Sequence, residues 1–209
     1  MDVALDEPAI ASLRRATRAR HDLLESVLRL VEPQPLARTR YLLALTGFDL
    51  FLTTWEPRLA AALPAALRDG FVARSRQPLL RRDLALLGGR RPCPPGLDEA
   101  CAAAARGIGL GSVAAAFGSL YVLEGSALGG QVIAKVARDT LGFGPDSGAA
   151  YFNGSERDTA AHWKLFLALL ELHVGAAHEA RREACEAARQ TFDALIDTFT
   201  LLQGTPDVA

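Results

Sequence analysis

Tyr121-Val-Leu-Glu-Gly-Ser-Ala-Leu-Gly-Gly-Gln-Val-Ile-Ala-Lys135 pulls in two directions, and how it resolves decides the fold. Apolar residues recur around it at three- and four-residue steps, and no proline occurs from Leu97 to Phe143, so its flanks read as helix. Yet Gly125, Gly129 and Gly130 sit inside. A glycine in a helix interior costs about 1 kcal/mol relative to alanine, so three give up about 3 kcal/mol in a chain otherwise rich in alanine. Gly125 and Gly129, four apart, share one face, and that face is bare backbone on which something flat or bulky can rest. The competing explanation is close helix–helix packing through a small-xxx-small pair.

Working outward, this helix runs from about Ser112 to Leu141, and Gly142 closes it. Upstream, Pro8 fits a helix start, with an apolar stripe (Leu13, Thr17, Leu24, Leu28) reaching about Leu30 before Pro33 and Pro35. A second helix is expected from about Leu36 to Trp55, broken near its end by Pro57 and Pro64. Pro78 to Leu87 reads as a third, stopped by Gly88-Gly89, and Leu97 to Arg106 as a short fourth. Downstream, Phe143 to Ser155 is a turn-rich connector. Ser155, paired with Asp158, is a plausible cap for a helix from Glu156 to about Leu172. A last helix spans about Ala177 to Leu202, with Phe192 and Phe199 on its buried side. No alternating strand, internal repeat or dividing linker is found, so residues 1–209 are expected to form a single all-α domain.

Composition narrows the function. Half of the residues are apolar, chiefly Ala and Leu, and the formal charge of −1 argues against general nucleic-acid binding. Cys93, Cys101 and Cys185 form no close pair, so neither a disulfide framework nor a zinc site is suggested. The acidic N-terminus lacks the pattern of a signal peptide, and no uncharged apolar run has membrane-spanning length. A soluble, cytoplasmic protein without a membrane partner is expected. Gly107-x-Gly-x-Gly111 follows a helix-forming run rather than a strand, so it is a hinge rather than a dinucleotide loop.

Among the four histidines, His173 and His178 are five apart and do not share a helix face, and His162 stands alone. His21 has better company. Arg14, Arg18, His21 and Glu25 follow one another at steps of four, three and four, making one polar stripe on the first helix. An imidazole with a carboxylate one turn away suits a metal ligand whose tautomer must be fixed. A plain solvated face fits the same spacing.

Together, the segment Leu-Arg-Arg-Ala-Thr-Arg-Ala-Arg-His21-Asp-Leu-Leu-Glu25 and the run Glu124-Gly-Ser-Ala-Leu-Gly-Gly-Gln131 resemble the haem oxygenase family. His162-Trp-Lys164 with the later Phe192 and Phe199 is a weaker match. The Tyr-Val-x-Glu-Gly-Ser wording looks most like the bacterial members that supply biliverdin to bacteriophytochromes. The resemblance covers essentially the whole chain, and implies a haem-oxygenase-like helical bundle with haem between the first helix and the glycine helix.

The resemblance further implies that His21 is the proximal iron ligand and Glu25 its hydrogen-bonding neighbour. Gly125, Ser126 and Gly129 would form the catalytic distal face. Arg14 and Lys164 would hold the haem propionates, and Phe192 and Phe199 would wall the pocket. The implied chemistry is oxidation of haem, at once cofactor and substrate, to biliverdin, carbon monoxide and ferrous iron, using O2. The chain has no flavin or nicotinamide motif, so electrons would come from a separate reductant such as a ferredoxin. The arginines from Arg68 to Arg91 could dock it, or form a solvated loop surface.

The sequence departs from the mammalian pattern at three places. Ser126 replaces the aspartate that organises the distal water network, Ala168 replaces a second basic residue, and Val122 replaces an arginine. Proton delivery must then use a different network, and the meso carbon that is cut is left open. A non-catalytic haem or bilin carrier of the same fold, and a helical protein of related fold with unrelated chemistry, are the alternatives.

Overall fold

Alanine and leucine at helical spacing, with glycine or proline at most breaks, produce nine α-helices and no strand among the described residues. The computed structural model describes residues 7–154, 159–175 and 177–204. In chain order the helices are α1 (Ala9–Leu28), α2 (Arg38–Ala62), α3 (Ala65–Val72), α4 (Gln77–Leu86), α5 (Leu97–Arg106), α6 (Val113–Leu141), α7 (Ala150–Asn153), α8 (Thr159–Val174) and α9 (His178–Gln203). The proposed Ser155 cap and its partner Asp158 lie outside the described residues.

Helices α6 and α9 form the spine. They cross so closely at Gly118 that a Cβ there would lie 1.9 Å from the carbonyl oxygen of Ala184. Only a glycine allows that approach. Helix α2 buries residues around most of its circumference, among them Tyr41, Leu45, Phe51, Trp55 and Leu59, as expected of a helix inside the core. The indole N–H of Trp55 donates to Ser119 Oγ (2.8 Å), which also bonds Thr191 Oγ1 (2.7 Å). That chain satisfies the buried polar atoms and ties α2, α6 and α9 together.

Helix α6 is long and apolar enough to cross a membrane, but it packs against α2, α7, α8 and α9 as the core helix of this bundle. Ser112 caps it by accepting from the Ala115 amide (3.1 Å), and Gly142 ends it with φ +70°. It passes through Gly125, Gly129 and Gly130 without interruption.

Two expectations are corrected. Pro57 does not break α2, which continues to Ala62. Pro57 and Thr53, the residue whose carbonyl it leaves without an amide partner, are both exposed, so water can serve that carbonyl. Buried Trp55 and Leu59 hold the helix on either side. The short helix α7 falls inside the stretch read as a turn-rich connector, and α3 in a stretch given no element.

Candidate functional site

Helix α1 ends at Arg29, a non-glycine residue in the left-handed region (φ +51°) whose guanidinium pairs with Glu32 (2.6 Å). The turn brings Leu30 and Val31 against the end of a cavity of about 500 Å³ bounded on one side by α1 and on the other by the glycine-bearing part of α6. That volume lies within the range of small-molecule sites, roughly 300–1,000 Å³. The lining is mostly apolar: Leu24 and Leu28 from α1, Val122 and Ile133 from α6, Phe48 from α2, Phe152 from α7.

The glycines divide by role. A Cβ at Gly125 or Gly129 would meet nothing within 4 Å, whereas one at Gly130 would lie 3.0 Å from the Phe152 carbonyl oxygen. Gly130 therefore serves packing against α7. Gly125 and Gly129 serve no packing, and both line the cavity. Ser126 lines it too, its hydroxyl donating to the Leu123 carbonyl (2.8 Å).

From the opposite wall come Arg14, His21 and Glu25. Arg18, the fourth member of the stripe, is outside the lining and pairs with Asp22 (3.9 Å). His21 sits at the mouth with its side chain 56% exposed, its ring meeting Phe192 edge-on at 6.0 Å. Its Nδ1 is 3.7 Å from Asp22 Oδ1 and its Nε2 is 3.8 Å from Glu25 Oε1. Both are beyond hydrogen-bond length, so either nitrogen is available to a ligand entering the cavity. His21, Asp22 and Glu25 are the one group of potential metal-ligating side chains that converges among the described residues.

Phe192 lines the cavity. Phe199 does not. It is fully buried behind Phe48, with ring centroids 5.1 Å apart, and a Cβ at Gly47 would lie 2.2 Å from its ring. It supports a lining residue instead of being one. Lys164 is exposed on α8 and outside the lining, where the neighbouring Trp163 stands instead. One residue along a helix is a turn of about 100°, enough to exchange cavity for solvent.

Sequence reasoning missed Tyr121, Arg76 and Tyr151, which also line the cavity. Burial pushes the Tyr121 hydroxyl up, opposed by a hydrogen bond with Thr17 and the nearby charge of Arg14. Tyr121 was legible as the first residue of the glycine stretch. Arg76 belongs to the arginine-rich segment whose other members are largely paired: Arg68 with the Ala60 carbonyl, Arg82 with Asp146, Arg81 and Arg90 with Asp49. Of the other histidines, His173 stacks on Phe117 at 4.9 Å and His178 is exposed.

A cavity with a half-exposed imidazole on one wall, helix backbone without side chains on the other, aromatic rings between them and two arginines in its lining has the shape and chemistry to take a flat, largely apolar ligand bearing acidic groups. The comparisons agree. The chain belongs to the haem oxygenase family, whose profile, described as "Heme oxygenase", matches residues 7–200. A "Heme oxygenase" of Xanthomonas campestris pv. campestris is 36% identical over 159 residues, 76% of this chain and 82% of that one. "Heme oxygenase PigA" of Pseudomonas aeruginosa is 32% identical over 190 residues, 90% of this chain and 91% of that one. The fold matches the NO- and CO-bound haem oxygenase of Neisseria meningitidis with a TM-score of 0.72 at 22% identity, covering 97% and 95% of the two chains.

Proposed function

We infer that this protein is a haem oxygenase that opens haem to biliverdin, carbon monoxide and ferrous iron, and that the cavity between α1 and α6 is where it does so. The observation that carries the assignment of the site is the pairing of His21 with Gly125 and Gly129 across one cavity. Bare backbone on α6 lets a planar ligand and a small diatomic molecule fit where any side chain would intrude. Bound haem supplies the iron that takes up O2 and the ring that is cut, while an external reductant supplies electrons.

His21 would hold the iron through a ring nitrogen, and Glu25, one turn away with Oε1 3.8 Å from Nε2, would steady the ring and its tautomer. Arg14, with the Tyr121 hydroxyl near it, would hold a propionate, whereas Lys164 lies outside the cavity lining on the exposed side of α8. Phe48, Phe152 and Phe192 exclude bulk water from the ring. The Tyr-Val-x-Glu-Gly-Ser run supports a bacteriophytochrome as acceptor of the biliverdin, and the electrons come from a separate reductant, a ferredoxin or another reductase.

The carrier alternative draws on Ser126, where the mammalian pattern has an aspartate. Titrating the protein with haemin and then adding ascorbate or reduced ferredoxin in air separates the readings. The enzyme gives a shifted Soret band that decays to biliverdin absorption. A shift without decay identifies a carrier, and no shift refutes both.

A further inference from the structure

Behind the glycine helix, on the side away from α1, lies a second and smaller chamber of about 80 Å³. It is polar where the first is apolar. Glu56 of α2, Arg74, Ser75 and Arg76 of the α3–α4 connection, Glu124 of α6, Tyr151 of α7 and His162 of α8 all face it. It adjoins the larger cavity, since Arg76, Leu123, Ser126 and Tyr151 line both. Ser75 Oγ donates to Glu56 Oε2 (2.7 Å), and the buried Nε of Arg74 has no hydrogen-bond partner among the described residues. A liquid water takes up about 30 Å³, so the space suits roughly two or three waters with ample polar partners.

We propose that this chamber is a hydrated proton store for the haem cavity, with Glu124 and Glu56 as the groups that carry the protons and the junction at Ser126 and Arg76 as the outlet. The proposal rests on the haem reading and adds to it the residues of this chain that deliver protons where mammalian members use the aspartate that Ser126 replaces. The Ser126 hydroxyl is already donated to a backbone carbonyl and has no proton of its own to spare. Glu124 is two positions earlier on the same helix and opens into the chamber instead of the cavity.

The electrostatics agree with the placement. Burial pushes the Glu124 carboxyl up against the opposing charges of Arg74, Arg76 and His162. It pushes the Glu56 carboxyl up against the Ser75 hydrogen bond and the charge of Arg81. Tyr151 is raised by burial as well and stays a neutral hydroxyl. In the transfer, the O–H bond of the Glu124 carboxyl breaks and its proton goes to a chamber water. That water releases a proton through the junction toward the cavity, and the carboxylate is reprotonated from solvent past His162. Charge is restored in each cycle without an oxidant or reductant. General acids positioned in this way typically contribute about 10²–10⁴-fold.

The test uses wild type, Glu124→Gln, Glu124→Asp and the double variant Glu56→Gln/Glu124→Gln. In the haem-free wild type, carboxyl carbon NMR should show both glutamates titrating above the ordinary value near 4.5. The double variant should bind haemin within 2-fold of wild type but form biliverdin at least 10-fold more slowly. It should also lose the fall in wild-type rate that accompanies rising pH through those midpoints, and Glu124→Asp should recover part of the rate. Haemin-loaded double variant with wild-type rate and pH profile overturns the store, as does ordinary titration of both carboxyls in the wild type. Failure of the wild type itself to bind haemin overturns the haem reading beneath it.

Discussion

Replacing Gly125 and Gly129 together by alanine separates the two roles a helical glycine can have. Neither new Cβ would meet an atom within 4 Å. Without haem the change should therefore express only the helix preference of alanine, about 1 kcal/mol at each position or about 2 kcal/mol together. For a domain of this size that corresponds to a rise in Tm of about 4–8 °C. Gly118→Ala is the contrast, because its Cβ would lie 1.9 Å from a backbone oxygen of α9. Overpacking there should cost ~1–3 kcal/mol or more and lower Tm. Haemin should reverse the order. The two methyls occupy the roof of the slot, and the same overpacking cost transferred to the ligand weakens the haemin dissociation constant by about 10-fold or more. Differential scanning calorimetry of the haem-free proteins and Soret titration of the same samples measure both halves. If the double alanine variant melts below wild type without haem, or binds haemin as tightly, the bare surface is not a ligand platform.

Three further outcomes follow from the site. His21→Ala should keep the haem-free Tm nearly unchanged, because the side chain is largely solvated; it should abolish biliverdin formation, and added imidazole should partly restore it, so full turnover without imidazole would refute the ligand assignment. Arg14→Gln should raise the haemin dissociation constant several-fold and reduce its salt dependence, while Arg182→Gln, an exposed partner of Glu179 on α9, should change it less than 2-fold. Glu56→Gln/Glu124→Gln should change the pH dependence of stability. Both carboxyls are raised by burial, so their stabilising contribution is full below the ordinary value near 4.5 and is lost as pH rises through the raised midpoints. The variant lacks that loss, and its Tm minus that of wild type should grow with pH above 4.5; a flat difference would show that neither carboxyl is raised.

The parts of the fold written in backbone preference were the legible ones. Gly142 and the Gly88-Gly89 pair end helices as expected, with positive φ at all three. Gly125 and Gly129 announced an unfilled surface because alanine would have been the cheaper residue. Pro57 misled because its effect depends on whether water reaches Thr53, which is a tertiary fact. Lys164 and Phe199 shared the right helices but not the right faces or depths, and a motif match fixes neither. Arg76 and the carboxyls of Glu56 and Glu124 meet only because α2, the α3–α4 connection and α6 converge, and no spacing along the chain encodes that meeting.

The attachment of α1 bears on the shape of the slot. This helix rests chiefly on α9 and α8, and its polar fastenings reach three helices: Glu171 accepts from the Ala9 amide, Arg20 reaches Asp193, Gln203 donates to the Val27 carbonyl, and Thr17 bonds Tyr121 of α6. Two of those fastenings end on α9, through Asp193 and Gln203, so the helix that carries His21 is tied to the spine itself. The wall facing the glycines is thereby set by the packing of the bundle, and the slot's width is fixed by the same contacts that hold α1 on α9.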